Sequence, residues 1–309
     1  MSPSKITTIQ QHGEIDSHPR ETYGKGEVIL RIGNGGAGAT GLIRALAEDY
    51  LTLHNHPGSI QWICNHSRNT QLALFHGHID LALTYERDQE DISISEGWAK
   101  NKGCIFHDHF CLAGPQDDPA NVTQAPSIED AFSRIATAQA TFHNRSDGSA
   151  TMWKERQIWD LCRRQPWNDP DAGWYESFLY TPSEAVTEAN IAGAYLLCDR
   201  STFLTMLSQG RVDDLRVFYE PDHSSDILMN SCYALSSPYA RMGVAERVAS
   251  FLAYLKSSKG QGVVARYGCD KVGVPLFASL GEGYAKVKLT GESYKGDGYT
   301  ERSSTLEKL

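Results

Sequence analysis

The chain has 309 residues and a formal net charge of −9, with ordinary fractions of apolar (40%) and charged (22%) residues. This length is enough for one large domain or for two lobes, each with a substantial core. The negative charge argues against a general binder of nucleic acid or of anionic membranes, since both need a basic surface, but it leaves room for a local positive pocket.

Residues 1–27 are polar and aperiodic, and we predict a flexible N-terminal arm there. The arm contains no apolar stretch typical of a signal peptide. The chain also contains no run of about 20 apolar residues, so we predict no membrane insertion. The expected location is therefore cytoplasmic for the sequence as written, and extracytoplasmic if a leader has been removed.

Strand-like and helix-like segments alternate after the arm. Apolar runs predict strands at residues 28–32, 59–64 and 79–84, and loops lead from the first two into helices. This alternation predicts an α/β fold with a parallel sheet and helices on both faces.

The second half of the chain continues in the same way. Further strands are expected at residues 104–114, 142–145, 194–198 and 215–219. Ser127 predicts an N-cap, and the helices are expected after Ser127, after Ser149, across residues 183–192 and around Val248. Residues 282–309 form a polar, glycine-rich tail.

Three strand-to-helix loops carry the candidate ligand-binding residues. In open α/β sheets, ligands bind beyond the carboxyl ends of the strands, where such loops gather. The candidates are Asn34, Gly35, Gly36 and Thr40 in the first loop, Ser67, Arg68, Asn69 and Thr70 in the second, and Arg145, Ser149 and Thr151 in the third. The competing interpretations are a structural glycine turn for the first loop and a solvated, helix-capping loop for the second.

Arg145 is the strongest single indication of an anion site. Ser149 is the expected N-cap of the following helix, so free backbone N–H groups would lie beside the guanidinium. Arginine binds oxyanions through paired donors. An isolated arginine at a strand end is more often part of a surface ion pair, but three donor-rich loops at matching positions favour a bound small anion.

The histidine pattern leaves a metal site open as an alternative. His54 and His56, His76 and His78, and His107 and His109 would each share one side of an extended segment. Such a pair with a carboxylate could hold zinc or iron, although eleven histidines make some close pairs expected by chance. No G-x-S-x-G motif is present, and we predict no catalytic residue, metal ligand or cofactor.

Several segments together resemble one known family. They are Gly41-Leu-Ile-Arg-Ala-Leu, Gly77-His-Ile-Asp-Leu-Ala-Leu, Phe110-Cys-Leu-Ala-Gly-Pro, Arg145-Ser-Asp-Gly-Ser-Ala-Thr, Trp174-Tyr, Glu188-Ala-Asn-Ile-Ala-Gly and Ser257-Ser-Lys-Gly-Gln-Gly. Their order and spacing, over about residues 29–280, resemble the type II periplasmic substrate-binding proteins of ABC importers, specifically the tungstate-binding branch.

The resemblance implies two Rossmann-like lobes joined by two crossover strands, with a ligand in the cleft. Lobe 1 would comprise residues 28–112 and 229–281, and lobe 2 would comprise residues 113–228. Arg145 and Ser149 match the oxyanion-binding arginine and hydroxyl of the family. The threonine-rich first loop of the family is replaced here by a Gly-Asn-Gly-Gly sequence that starts at Gly33, so another, larger anion is as compatible as tungstate or molybdate.

Two functions from different classes follow. The first is a solute-binding protein that captures a small oxyanion and closes by hinge motion, with an ABC permease as partner if the chain is exported. The second is a metal- or metabolite-dependent enzyme on the same fold that uses His66, His107 or His109 with Asp108. A third possibility is a sensor with a degenerate cleft, which predicts no small ligand.

Overall fold

The computed structural model describes residues 6–169 and 171–290. Within them, the strands are β1 (Glu21–Gly24), β2 (Val28–Asn34), β3 (Ser59–Cys64), β4 (Leu81–Thr84), β5 (Lys100–Pro115), β6 (Phe142–Arg145), β7 (Tyr175–Phe178), β8 (Leu196–Asp199), β9 (Leu215–Tyr219) and β10 (Met229–Ser236). The helices are α1 (Gly36–Ala39), α2 (Leu42–Leu53), α3 (Ser67–Phe75), α4 (Arg87–Ser95), α5 (Ile128–Ala138), α6 (Ala150–Leu161), α7 (Pro182–Ala192), α8 (Arg200–Ser208), α9 (Met242–Lys256), α10 (Ser258–Arg266) and α11 (Cys269–Val272).

The main sheet is mixed. Its strand order is β1-β3-β2-β4-β10-β5-β8, with β9 also paired to β5. β2 runs parallel to β3 and β4, as the β-loop-α pattern predicts. β1 and β10 are antiparallel to their neighbours, so within the main sheet the expected parallel pairing holds only for β2, β3 and β4. β6 and β7 form a separate two-stranded parallel sheet.

One long strand joins the two lobes. The first part of β5, up to His109, pairs with β10, while the part from Phe110 onward pairs with β8 and β9. The return connection lies beside it, because Phe110 N donates to the Leu228 carbonyl oxygen at 2.8 Å, immediately before β10. Two adjacent backbone segments therefore connect the lobes, which is the geometry that a hinge requires.

Lobe 2 has a core rich in aromatic side chains. Trp159 is fully buried, and its ring centroid lies 4.6 Å from that of Phe132 and 5.4 Å from that of Phe142. The indole N–H of Trp159 and the hydroxyl of Tyr175 both donate to one carboxylate oxygen of Glu155, at 3.1 and 2.7 Å. This core fixes α6, which carries one wall of the cleft.

The prediction of a flexible arm over residues 1–27 is wrong for its ordered part. β1 pairs with β3 in the main sheet, and Ile9 is buried in an apolar cluster with Leu72 and Trp98. The sequence shows no sign of this order, because the segment has no apolar repeat of its own. Backbone pairing with β3 holds its second part, and side chains such as Asn65 and Asn69 hold its first part. Residues 1–5 lie outside the described residues.

Other elements also differ from the sequence prediction. Residues 67–70, expected to be loop, form the first turn of α3, and residues 36–39 of the first loop form α1. α4 and α8 were not predicted, since neither has a strong amphipathic repeat. In the polar tail, Leu289 is buried and its N–H contacts Glu220, whereas residues 291–309 lie outside the described part of the chain.

Candidate functional site

The second and third loops meet around the N-terminal segment, which we define as residues 8–16. The carbonyl oxygen of His12 accepts hydrogen bonds from Nδ2 of Asn69 at 2.6 Å and from Nε2 of His66 at 3.1 Å. The His12 imidazole Nε2 lies 2.9 Å from Nη1 of Arg68. The segment therefore occupies the second-loop donors that the sequence assigned to a ligand.

His12 also contacts lobe 2. A Cβ placed on Gly148 would lie 2.7 Å from the His12 ring, and Gly148 itself has a φ of +71°, so this position requires glycine twice over. The centroids of the His12 and Trp153 rings are 6.2 Å apart. Burial and the neighbouring Arg68 lower the pKa of His12.

The candidate residues of the first loop form hydrogen bonds mainly with other groups of the protein. The side chain of Asn34 donates to the Leu83 carbonyl oxygen at 2.9 Å and accepts from Gly38 N at 2.8 Å. The Thr40 hydroxyl donates to the Ala37 carbonyl oxygen at 3.0 Å. Gly35 precedes α1, and a Cβ on Gly36 would meet no atom within 4 Å. The loop is thus a structural turn with an open face at Gly36.

In the second loop, the two hydroxyls hold secondary structure together. Ser67 Oγ accepts from the Tyr85 N–H at 3.1 Å, and Thr70 Oγ1 donates to the Asn65 carbonyl oxygen at 2.9 Å. Arg68 is buried, and its Nη2 lies 2.5 Å from Oε1 of Glu86.

Arg145 has partners within the chain at each of its nitrogens. Its Nε donates to the Tyr180 carbonyl oxygen at 3.2 Å, its Nη1 donates to Thr151 Oγ1 at 3.3 Å, and its Nη2 pairs with Asp147. Ser149 caps α6, as the sequence predicts, by accepting from Met152 N. The ion-pair interpretation of Arg145 therefore describes the observed contacts, with Arg145 buried and Asp147 partly exposed.

Next to this cluster, a cavity of about 1040 Å³ separates α4 of lobe 1 from α6 of lobe 2. Its lining includes Phe110 of the first connecting segment and Tyr233 of β10. Its charged and aromatic lining includes Arg68, Arg87, Trp153, Lys154, Arg156 and Trp167. Of the candidates predicted from sequence, Arg68 alone lines this cavity.

Basic groups from both lobes face the cavity. Arg87 pairs with Glu90, and its guanidinium lies 3.3 Å above the centre of the Tyr233 ring. The guanidinium of Arg156 lies 4.9 Å from the Trp167 ring and 5.4 Å from the Trp153 ring. The lining carboxylates are Glu86, Asp88 and Asp160.

Lys154 and Arg156 are the unpaired cations of the cavity. Lys154 Nζ donates to Oε1 of Gln157 at 2.9 Å, and burial lowers the pKa of this lysine. Within residues 6–169 and 171–290, neither Lys154 nor Arg156 has a carboxylate partner within 4.0 Å. An anionic ligand would find both charges available.

Several buried donors around the cavity also lack an acceptor among the described residues. They are the Tyr85 hydroxyl, the Trp153 indole N–H and the Nε groups of Arg68, Arg87 and Arg156. A buried donor without a partner costs on the order of 1–3 kcal/mol, so such groups call for an explanation. Sequence reasoning missed all of them except Arg68, because Tyr85, Arg87, Trp153 and Arg156 belong to no motif and come from separate parts of the chain.

The cleft histidines do not assemble a metal site. His107 Nδ1 lies 2.7 Å from the Ser231 hydroxyl, and His109 Nε2 accepts from the Ala285 N–H at 2.9 Å. In the part of the chain that the structure describes, the group of three ligands close enough for one ion is Asp222, His223 and Asp226, and it includes neither His107 nor His109. The alternative enzyme with cleft histidines gains no support from this geometry.

Two buried acids make stability depend on pH. Burial raises the pKa of Glu155 to about 7, and burial with the charge of Asp199 raises the pKa of Asp108. Both groups ionise at lower pH in the unfolded chain. At pH values between the unfolded-state pKa and the folded-state pKa, the folded state therefore binds more protons than the unfolded state. The contribution of these carboxyls to the free energy of unfolding is therefore largest below about pH 4.5 and is lost as pH rises through about 7. Histidines such as His66 and His109 have pKa values lowered by burial, so their contribution changes with pH in the opposite direction.

Urea unfolding curves across pH 4.5 to 8.5, followed by circular dichroism, would measure the contribution of Glu155 as the difference in stability between the wild type and Glu155→Gln, whose amide cannot ionise. We expect the stability of the wild type relative to this variant to fall as pH rises through about 7. Glu184→Gln is the matched control, since Glu184 lies exposed at the start of α7 and has a lowered pKa. The assignment would be contradicted if the stability of the wild type relative to Glu155→Gln did not fall between pH 5 and 8.

Comparison with known proteins was made with both sequence and structure. The family profile described as PBP superfamily domain matches residues 18–257. A Haloferax volcanii protein, named for anion binding in an ABC transporter, is 29% identical over 195 residues, which is 62% of this chain. The chain matches only 55% of the length of that relative.

Two further similarities agree with this one. The tungstate-binding protein TupA of Peptoclostridium acidaminophilum is 26% identical over 212 residues, covering 65% of this chain and 68% of TupA. A crystal structure of a periplasmic protein to which metal binding has been ascribed superimposes with a TM-score of 0.77 at 29% identity, covering 87% of this chain and all of that one. The two sequence relatives are named as binding proteins and not as enzymes.

Proposed function

This chain belongs to the PBP superfamily and has its two-lobe α/β fold, and from that premise we propose that it is a solute-binding protein that captures an anion in the cleft between its lobes. The relatives named for anion and tungstate binding support the ligand class. Oxyanions, with tungstate and molybdate among them, are the first ligands to test.

One observation carries the proposal. Lys154 and Arg156 on α6 lack carboxylate partners in the described part of the chain, and they face Arg68 and Arg87 across the same cavity. Charge-assisted hydrogen bonds are about twice as strong as neutral ones, and partial exclusion of water strengthens them further. An anion held between the lobes would satisfy donors on both sides at once.

Ligand capture would proceed by hinge closure. The two connecting segments, at Phe110 and at Leu228, are adjacent and hydrogen-bonded, so a rotation there moves the lobes without breaking either core. In this proposal the loaded protein works outside the cytoplasm and delivers the anion to an ABC permease. No helix among the described residues is long and apolar enough to cross a membrane.

The test is a titration of the purified protein with tungstate, molybdate, sulfate, phosphate and small carboxylates. A ligand at 100 times its dissociation constant stabilises the folded state by about 2.7 kcal/mol, which a thermal unfolding scan detects. We expect at least one anion to bind, and we expect Lys154→Ala with Arg156→Ala to weaken its binding at least tenfold. Arg211→Ala is the matched control, because Arg211 is exposed and does not line the cavity.

Two results would discriminate further. If Arg145→Ala alone abolishes binding, the anion lies at the third loop, as the sequence suggested, and not in the cavity. If neither an anion of this set nor a larger organic anion stabilises the protein, the anion-binding function is wrong.

A further inference from the structure

The position where the loops meet is already filled by the protein itself. His12 of the N-terminal segment takes the donors of His66 and Asn69 and lies against Gly148 of the third loop. Asp147 takes one end of the Arg145 guanidinium. A small oxyanion placed there would compete with an internal carbonyl oxygen and an internal carboxylate.

The adjacent cavity is too large for a tetrahedral oxyanion alone. An oxyanion of five heavy atoms displaces only a few waters, each of which takes about 30 Å³ in the liquid. The cavity holds about 1040 Å³, which matches the upper end of pockets for drug-sized ligands, about 300–1,000 Å³. The lobes already touch at its edge, where the Arg68 guanidinium lies 4.9 Å from the Trp153 ring.

The cavity walls combine positive charge with flat aromatic surface. Arg156 lies over the Trp153 and Trp167 rings, and Arg87 lies over Tyr233. Arg68 is 7% exposed, yet its Nε has no acceptor among the described residues. Guanidinium groups stacked on rings form a surface on which a planar, electron-rich ligand can stack, while their free N–H groups bind its anionic substituents.

We propose that the cavity binds an aromatic organic anion with at least two negative charges. Its charged groups contact Arg68 and Arg87 of lobe 1 and Lys154 and Arg156 of lobe 2, and its ring stacks against the aromatic wall. This inference rests on the proposed anion-binding function, which it narrows from anions in general to one chemical class.

The experiment compares probes that differ in one property each. Terephthalate and adenosine 5′-monophosphate are the aromatic dianions. Adipate matches terephthalate in charge without a ring, adenosine matches the nucleotide without charge, and tungstate and phosphate are the small oxyanions. Calorimetric titrations at one pH and ionic strength give the dissociation constants, since screening weakens such contacts.

We expect an aromatic dianion to bind at least tenfold more tightly than adipate, adenosine, tungstate and phosphate. Arg156→Ala should weaken that binding at least tenfold. Trp167→Leu should weaken the binding of the aromatic dianion more than the binding of adipate. Arg156→Lys keeps the charge and loses the planar group, so it should recover only part of the affinity. Arg211→Ala should leave all constants unchanged.

Each outcome has a separate meaning. If tungstate or phosphate binds at least tenfold more tightly than both aromatic dianions, the anion-binding function stands and the aromatic ligand class is wrong. The proposed ligand class is also wrong if adipate binds as tightly as terephthalate and phosphate binds as tightly as the nucleotide. If no probe binds, both the function and the ligand class are overturned.

Discussion

Arg68→Ala is expected to lower the free energy of unfolding by about 3–5 kcal/mol, the range observed when one partner of a buried ion pair is removed. The two side chains of the Arg68–Glu86 pair are only 8% and 9% exposed. Without Arg68, Glu86 stays buried with no countercharge, and burial already raises the pKa of this carboxyl. Urea unfolding at pH 7.5 would measure the loss.

The control is Arg44→Ala. Arg44 forms an ion pair with Glu21 whose side chains are 54% and 35% exposed, so its loss should lower the free energy of unfolding far less than the loss of Arg68 does. The pair Arg68→Met and Glu86→Gln together should recover most of the stability, because no charge is then left buried. A loss below 1 kcal/mol for Arg68→Ala, or no recovery in the double variant, would show that the pair does not stabilise the cleft wall.

Trp159→Ala is expected to destabilise lobe 2 by about 3–5 kcal/mol. Trp159 is fully buried between Phe132 and Phe142, and its removal leaves a cavity that the surrounding rings cannot fill. The substitution also removes one of the donors to the buried Glu155 carboxylate. Circular dichroism in urea is the suitable measurement, because the variant changes the tryptophan fluorescence.

Trp153→Ala is the matched comparison, since Trp153 lies half-buried on the cavity side of the same helix. We expect it to cost clearly less stability than Trp159→Ala while it alters ligand binding. Equal losses for the two variants would mean that Trp159 is not the centre of the lobe 2 core.

The resemblance to the type II substrate-binding proteins is confirmed, because its signals are local or ordered along the chain. Val28, Ile32 and the glycines after them form a strand and a turn by their own conformational preferences, and Ser149 caps its helix as its position predicts. The family profile and the superposition agree with the α/β fold that this order indicated.

The partners of the predicted hydrogen-bond donors could not be predicted from the sequence. A sequence shows that Arg145 follows a strand, but not that Asp147 and Thr151 take its nitrogens. The Arg68–Glu86 pair joins residues from two different strand-to-helix connections, and no spacing rule predicts it. The N-terminal segment is the extreme case, since its polar sequence gives no sign that His12 fills the space between the loops.

The sequence by itself determined the strand-helix order, the two-lobe family and the presence of donor-rich loops, because hydrophobic period, capping and glycine content act over a few residues. Only the tertiary structure decided which donors remain free. Hydrogen bonds and ion pairs form with the groups that the fold brings close, and these groups can be far away in sequence. Glu86, which pairs with Arg68, is 18 residues from it, and Asn69, which bonds to His12, is 57 residues from it. The tertiary contacts therefore moved the candidate site from the predicted loops to the cavity along α6.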